Sequence, residues 1–345
     1  MKLKIIYTTT LCLSGFVILL SFVINQQVPI KFVVPKGWPK PVYDFSKNNI
    51  TADGFKLGNA LFYDPVLSKD HTISCSSCHL SFTAFTHADH SLSHGIYGLK
   101  GTRNSIGLVN LAWSNSFMWD GRINNLETQA LNPITSPVEM DSKMDEVLIR
   151  LNNTPRYRTL FFNAFKDSVI TSDILLKGLA QFTVMLESYN SKYDSVMRKE
   201  KNVSFSTTEK NGYHIFKLHC ASCHTEPLFT NNSFQNNGLA PDSSLNDYGR
   251  IKITHKAADS LKFKVPTLRN IEFSAPYFHD GRFNKLKEAV EHYLTGIHQS
   301  PTLAKELQQK ISLTPPQKKD LIAFLLTLTD KSFLYDNKFR YNFSD

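Results

Sequence analysis

Two short motifs carry the chemistry of this 345-residue chain: CSSCH at residues 75 to 79 and CASCH at 220 to 224. In a C-x-x-C-H pentapeptide the two thiols are spaced to form thioethers with the vinyl groups of one haem. The adjacent imidazole turns under the ring as an iron ligand. Cys75, Cys78 and His79, then Cys220, Cys223 and His224, read as two covalent haem c sites with His79 and His224 as proximal ligands. Zinc is the competing use of such cysteines, but neither motif has a further cysteine near it to complete a four-ligand site. The fifth cysteine, Cys12, lies in an apolar run and lacks the small residues before it that a lipoprotein site shows.

The sixth coordination positions separate a carrier from a catalyst, because a carrier closes both irons and an enzyme opens one. After the first motif the candidates are His87, His90 and His94, in FTHADHSLSHGIYG. His94 is favoured because Gly95 beside it lets backbone approach a ring closely; His87 and His90 suit surface or propionate-facing roles. After the second motif there is no methionine, the last being Met197. The remaining candidates are His255, His279, His292, His298, Tyr248, Tyr277 and Tyr293.

The elements that position these residues repeat. The first copy runs CSSCH, Arg103-Asn104, MWDGR (118 to 122) and LETQA (126 to 130). The second runs CASCH, Arg269-Asn270, FHDGR (278 to 282) and LKEAV (286 to 290). The order of all four features is kept, so two related domains are expected, at 45 to 200 and 205 to 335. Helical signals dominate: STTE at 206 to 209 is a capping box leading into Cys220, and Thr314, Pro315 and Gln317 open a second helix before LIAFLLTL. A third amphipathic helix is expected over 173 to 189, with a polar linker at 190 to 205. With no alternating strands, the fold class is all-α, two tandem cytochrome c-like domains.

Residues 11 to 24, LCLSGFVILLSFVI, follow Lys2 and Lys4 and read as a targeting segment within 1 to 27, either a signal peptide or an uncleaved anchor. Haem attachment of this type follows export, so a periplasmic location is expected, soluble or tethered at the N-terminus. The formal charge of +9 becomes +7 without the two leader lysines, and no basic stripe with interleaved aromatics accompanies it. Nucleic-acid binding is not expected.

The repeat, the paired motifs and LGNALFYDPVLSKDHTISCSSCH (57 to 79) resemble the bacterial di-haem cytochrome c peroxidase family, including its methylamine-utilisation branch, MauG, over residues 45 to 335. The resemblance implies a cytochrome-c peroxidase, with hydrogen peroxide as acceptor and a small c-type cytochrome or cupredoxin as donor; a homodimer is compatible with it. It assigns His94 as the removable distal ligand, Trp119 as the inter-haem bridge, and Gln129 and Glu139 as the distal-pocket pair. It also implies calcium between the domains at Asn104 and the backbone carbonyls of Ser274 and Pro276. The chemistry agrees at Glu139: cleaving peroxide needs a proton moved from one oxygen to the other, which suits a carboxyl between apolar Val138 and Met140.

The chain departs from the typical peroxidases at the second iron. They use methionine there, and the resemblance to MauG implies Tyr293, with His292 as the other choice. A phenolate is a hard anionic donor that favours ferric iron, so a low potential is expected at that haem. Three readings follow: peroxide reduction at the N-terminal haem, MauG-like oxidation of a protein or organic substrate, or electron transfer without catalysis.

Overall fold

The computed structural model describes residues 28 to 341; the leader and Cys12 fall outside them. No helix among the described residues is long and apolar enough to cross a membrane. The N-terminal half contains α1 (Ala52–Tyr63), α2 (Met144–Asn153), α3 (Pro155–Phe165) and α4 (Ser172–Thr183). The C-terminal half contains α5 (Thr207–His219), α6 (Leu286–Thr295) and α7 (Pro315–Leu326). Short helices and turns join them, and one antiparallel pair, β1 (Phe234–Gln235) with β2 (Phe263–Lys264), is the sole sheet among the described residues. The all-α expectation holds.

The expected caps set the helix starts. Ser206 and Glu209 form the capping box of α5, and Thr314 and Gln317 that of α7 with Pro315 at its first turn. The helix expected over 173 to 189 is shorter, ending at Thr183. Asn110 takes the chain instead: its N–H donates to Leu186 O at 2.8 Å and its Oδ1 accepts from Ser188 N–H at 2.9 Å, drawing 186 to 188 away from helical pairing.

Each half is built on one helix crossing, α1 on α4 and α5 on α7. Both crossings are set by glycine: a Cβ on Gly58 would lie 2.2 Å from Gly178 O, and one on Gly212 would lie 1.9 Å from Asp320 O. Leu57, Leu61, Leu175 and Leu179 fill the first crossing, and Phe216, Leu321, Phe324 and Leu325 the second.

Two segments correct the sequence reading. The polar stretch after Tyr189 is not a solvated linker. A helix over Lys192–Met197 packs Tyr193 into the C-terminal core, and buried Asp194 takes Arg269 in a bidentate pair at 2.7 and 2.8 Å. Charge in the sequence concealed a segment whose charge is neutralised inside. The C-terminal tail returns to the N-terminal half, where Phe333, Leu334 and Phe339 join the core around Phe85 and Phe182.

Candidate active site

The two C-x-x-C-H segments fold alike. Each histidine N–H donates to the first cysteine's carbonyl, His79 to Cys75 at 3.0 Å and His224 to Cys220 at 2.9 Å. Each imidazole Nδ1 meets the carbonyl of a fully buried phenylalanine in left-handed backbone, Phe85 at 2.7 Å and Phe229 at 3.1 Å. A carbonyl acceptor makes Nδ1 the protonated nitrogen and leaves Nε2 as the metal-binding one, oriented by its own ring's hydrogen bond. Burial pushes both imidazoles down, His79 to about 4, so they stay neutral.

The four motif cysteines form no disulfide with one another. Burial pushes Cys75 and Cys220 up to about 12 and Cys78 to about 11. Such surroundings oppose thiolate zinc ligation and suit a neutral thioether. The residues fit two haems.

A cavity of about 830 Å³ runs from Cys78 and His79 past Trp119 to Cys220, Cys223, His224 and Tyr293. Its waist is built by the repeated D-G-R turns. In each, the residue before the Trp or His has positive φ, Met118 and Phe278, as does the glycine, Gly121 and Gly281. Each turn is closed by a bridge, Phe117 with Ile123 and Tyr277 with Phe283. The domains meet there. Asn104 N–H donates to His279 O at 2.7 Å, Lys264 N–H to Trp119 O at 2.7 Å, and Trp119 Nε1 to Asn104 O at 2.8 Å. Trp119 is buried at the crossing, its ring 6.5 Å from that of His279.

A second cavity of about 60 Å³ gathers His94, Gln129 and Glu139 with Cys75, Cys78 and His79. Gly95 acts differently from expectation. Its missing Cβ admits the backbone of Glu139, whose Cα and O would lie 2.4 and 2.3 Å from that atom, and Ile96 N–H donates to Glu139 O at 2.7 Å. The histidine segment is thus clamped to the glutamate segment by main chain. Desolvation raises the Glu139 carboxyl, against smaller lowering effects of Ser136 and Arg122. Val138 is 36% exposed and only Met140 is buried, so the apolar wall expected on both sides of Glu139 exists on one. The three histidine rings pack together, His94 4.6 Å from His90 and 5.1 Å from His87.

At the second motif, Tyr293 lines the large cavity near Cys220 and Cys223, with the Asn237 side chain beside it. His292 is turned away, its Nε2 on Asn237 O at 3.0 Å, and His298 and His255 are exposed. Tyr277 OH is committed to Ile271 O, and the His279 ring stacks on Phe263 at 3.6 Å. Asn104, Ser274 and Pro276 line the same cavity, with Asn104 Nδ2 donating to Ser91 O at 3.0 Å. Three neutral oxygens are fewer than calcium takes, so an ion there would keep most of its water.

Sequence reasoning missed the ion network at the crossing. Arg103 grips Asp247 of the other domain through Nε and Nη2 and Asp120 through Nη1, while Arg122 also holds Asp120. The signal was present, since Arg103, Asp120 and Arg122 stand in the repeated motifs.

Two cytochrome c-type domains, each presenting one haem-attachment motif to a shared cavity, define a di-haem c-type cytochrome. The di-haem cytochrome c peroxidase family model matches residues 52 to 202, and the cytochrome c model residues 209 to 329. Methylamine utilization protein MauG of Methylorubrum extorquens is 34% identical over 304 residues, 86% of this chain and 83% of its own. Cytochrome c551 peroxidase of Nitrosomonas europaea is 34% identical over 310 residues, 88% and 84%. A solved MauG-like protein associated with microbial copper homeostasis superposes with TM-score 0.78 at 31% identity, covering 90% of this chain and 99% of that one. The chain belongs to the di-haem cytochrome c peroxidase and MauG family, and is a haem oxidoreductase with two haem c groups.

Proposed function

We propose that the protein reduces hydrogen peroxide to water at the N-terminal site, with electrons from a small c-type cytochrome or cupredoxin entering at the C-terminal site. The observation that carries this reading is the gathering of His94, Gln129 and Glu139 beside Cys75, Cys78 and His79, in a pocket adjoining the cavity that runs past Trp119 to the second motif. The haems, when bound, supply the two electrons that cleave the O–O bond. The remaining work falls to the chain. Glu139 in its carboxylate form takes a proton from one peroxide oxygen and delivers it to the other, so that two electrons and two protons yield two waters. Gln129 offers an amide to orient the bound peroxide, and Trp119 bridges the two sites. Tyr293 is the proposed second ligand at the C-terminal iron.

A second reading, oxidation of a protein or organic substrate as in MauG, is favoured by one observation. The C-terminal site has a tyrosine beside its cysteines and no methionine after residue 197. An anionic oxygen ligand lowers the potential of that haem and weakens it as an electron reservoir.

Peroxide turnover with a reduced c-type cytochrome separates these readings from a simple carrier. Glu139→Gln should lose about 10²- to 10⁴-fold in rate, the usual weight of a general acid–base group. Because Glu139 must be deprotonated to act and burial raises it, wild-type turnover should fall as pH drops through a point above the ordinary carboxylate range. The variant should lack that limb. Equal, negligible rates in both proteins would mean a carrier.

A further inference from the structure

We propose that His87, His90 and His94, in the loop that follows the first haem-attachment motif, form a binding site for a divalent transition-metal ion of the zinc or copper class, occupied when His94 is not engaged at the first haem site. One ligand nitrogen from each of the three lies within 4.8 Å of the others. The rings stack His87 on His90 at 4.9 Å and set His94 edge-on to both.

The second observation is at His87. It is 6% exposed, and its Nδ1 is buried with no hydrogen-bond partner. A buried imidazole nitrogen without a partner is uncommon, because burial removes its water without replacement. Bound metal would supply the missing partner.

The cluster is also well supported. Leu80 and Thr86 are bridged on one side of the loop, and His94 and Lys100 on the other. Asn104 Nδ2 holds the turn between them through Ser91 O at 3.0 Å. His87 and His94 are therefore fixed at the loop's two ends, while His90 is exposed and free to turn. Zinc–imidazole bonds of 2.0 to 2.1 Å place tetrahedral ligand atoms about 3.4 Å apart, so the rings need to draw in by roughly 1 Å. Rotation of the exposed His90 and small shifts of the other two rings supply that movement. Three neutral nitrogens and no fixed carboxylate select zinc or copper over calcium or magnesium. The exposed side leaves a fourth position for water.

The test uses the full-length, haem-loaded protein freed of loose metal with EDTA, which leaves porphyrin iron in place. Equilibrium dialysis against zinc chloride, with zinc and iron measured by atomic emission, should give one saturable zinc per two irons. His90→Ala, which alters an exposed side chain, should weaken binding at least about tenfold, as should His87→Gln. Bound zinc should also slow proteolysis within 87 to 94 in wild type and not in the variants. No saturable zinc, or binding by both variants as tight as wild type, would overturn the proposal.

Discussion

Tyr293 sits where burial works against the state proposed for it. Desolvation raises its phenol far above the ordinary value, and the neighbouring Asn237 side chain offsets only part of that. A buried phenol of this kind loses its proton only to a strong cation, which ferric iron supplies. His292, the competing residue, is already bound to Asn237 O. Tyr293→Phe should lose or shift one low-spin ferric signal in low-temperature EPR and spare the other; an unchanged spectrum would dismiss the ligand. Residue-level legibility followed the chemistry. The C-x-x-C-H sites were readable because thioether formation requires a spacing. The carbonyls of Phe85 and Phe229 were not, because main-chain acceptors leave no trace in residue type. His87, His90 and His94 were weighed singly for one iron, and only the folded loop brings them together.

At the scale of elements, the sequence was most informative where a local rule governs. The capping boxes at Ser206 and Thr314 depend on neighbours within four residues, and both formed as read. The end of α4 depends on Asn110, far away in sequence, so no local signal marks it. The helix crossings are equally non-local. Gly212 stands inside α5 where glycine costs helix stability, and the approach of Asp320 O explains its presence. Gly212→Ala should force α5 and α7 apart and destabilise the holoprotein by about 1–3 kcal/mol, as overpacked contacts do. Urea unfolding followed at the Soret band measures this, and an unchanged midpoint would show that the crossing yields without cost.

Across the whole molecule, the domains are tied by buried charge as well as by apolar contact. The side chain of Asp247 is 2% exposed and that of Arg103 16%, with Nε to Oδ2 at 2.6 Å. Removing one member of such a pair leaves the other largely desolvated, a loss of about 3–5 kcal/mol when burial is complete. Arg103 retains Asp120, so Asp247→Asn should fall near the lower end, about 3 kcal/mol. Calorimetry of the variant beside wild type reads the difference, and a loss below about 1 kcal/mol would mean that Asp120 suffices. The repeat foretold two domains, but not their seam, because the pairing partner Asp247 lies outside the repeated motifs.

The returning tail gives the chain an order in time. Phe333 and Phe339 lie 5.8 and 6.3 Å from Phe85, whose carbonyl holds the His79 ring. The earlier of the two haem sites is thus backed by residues that leave the ribosome after the later motif. A nascent chain stopped after its first domain would carry Cys75, Cys78 and His79 without the aromatic backing that steadies them, so the first motif made is the last one finished.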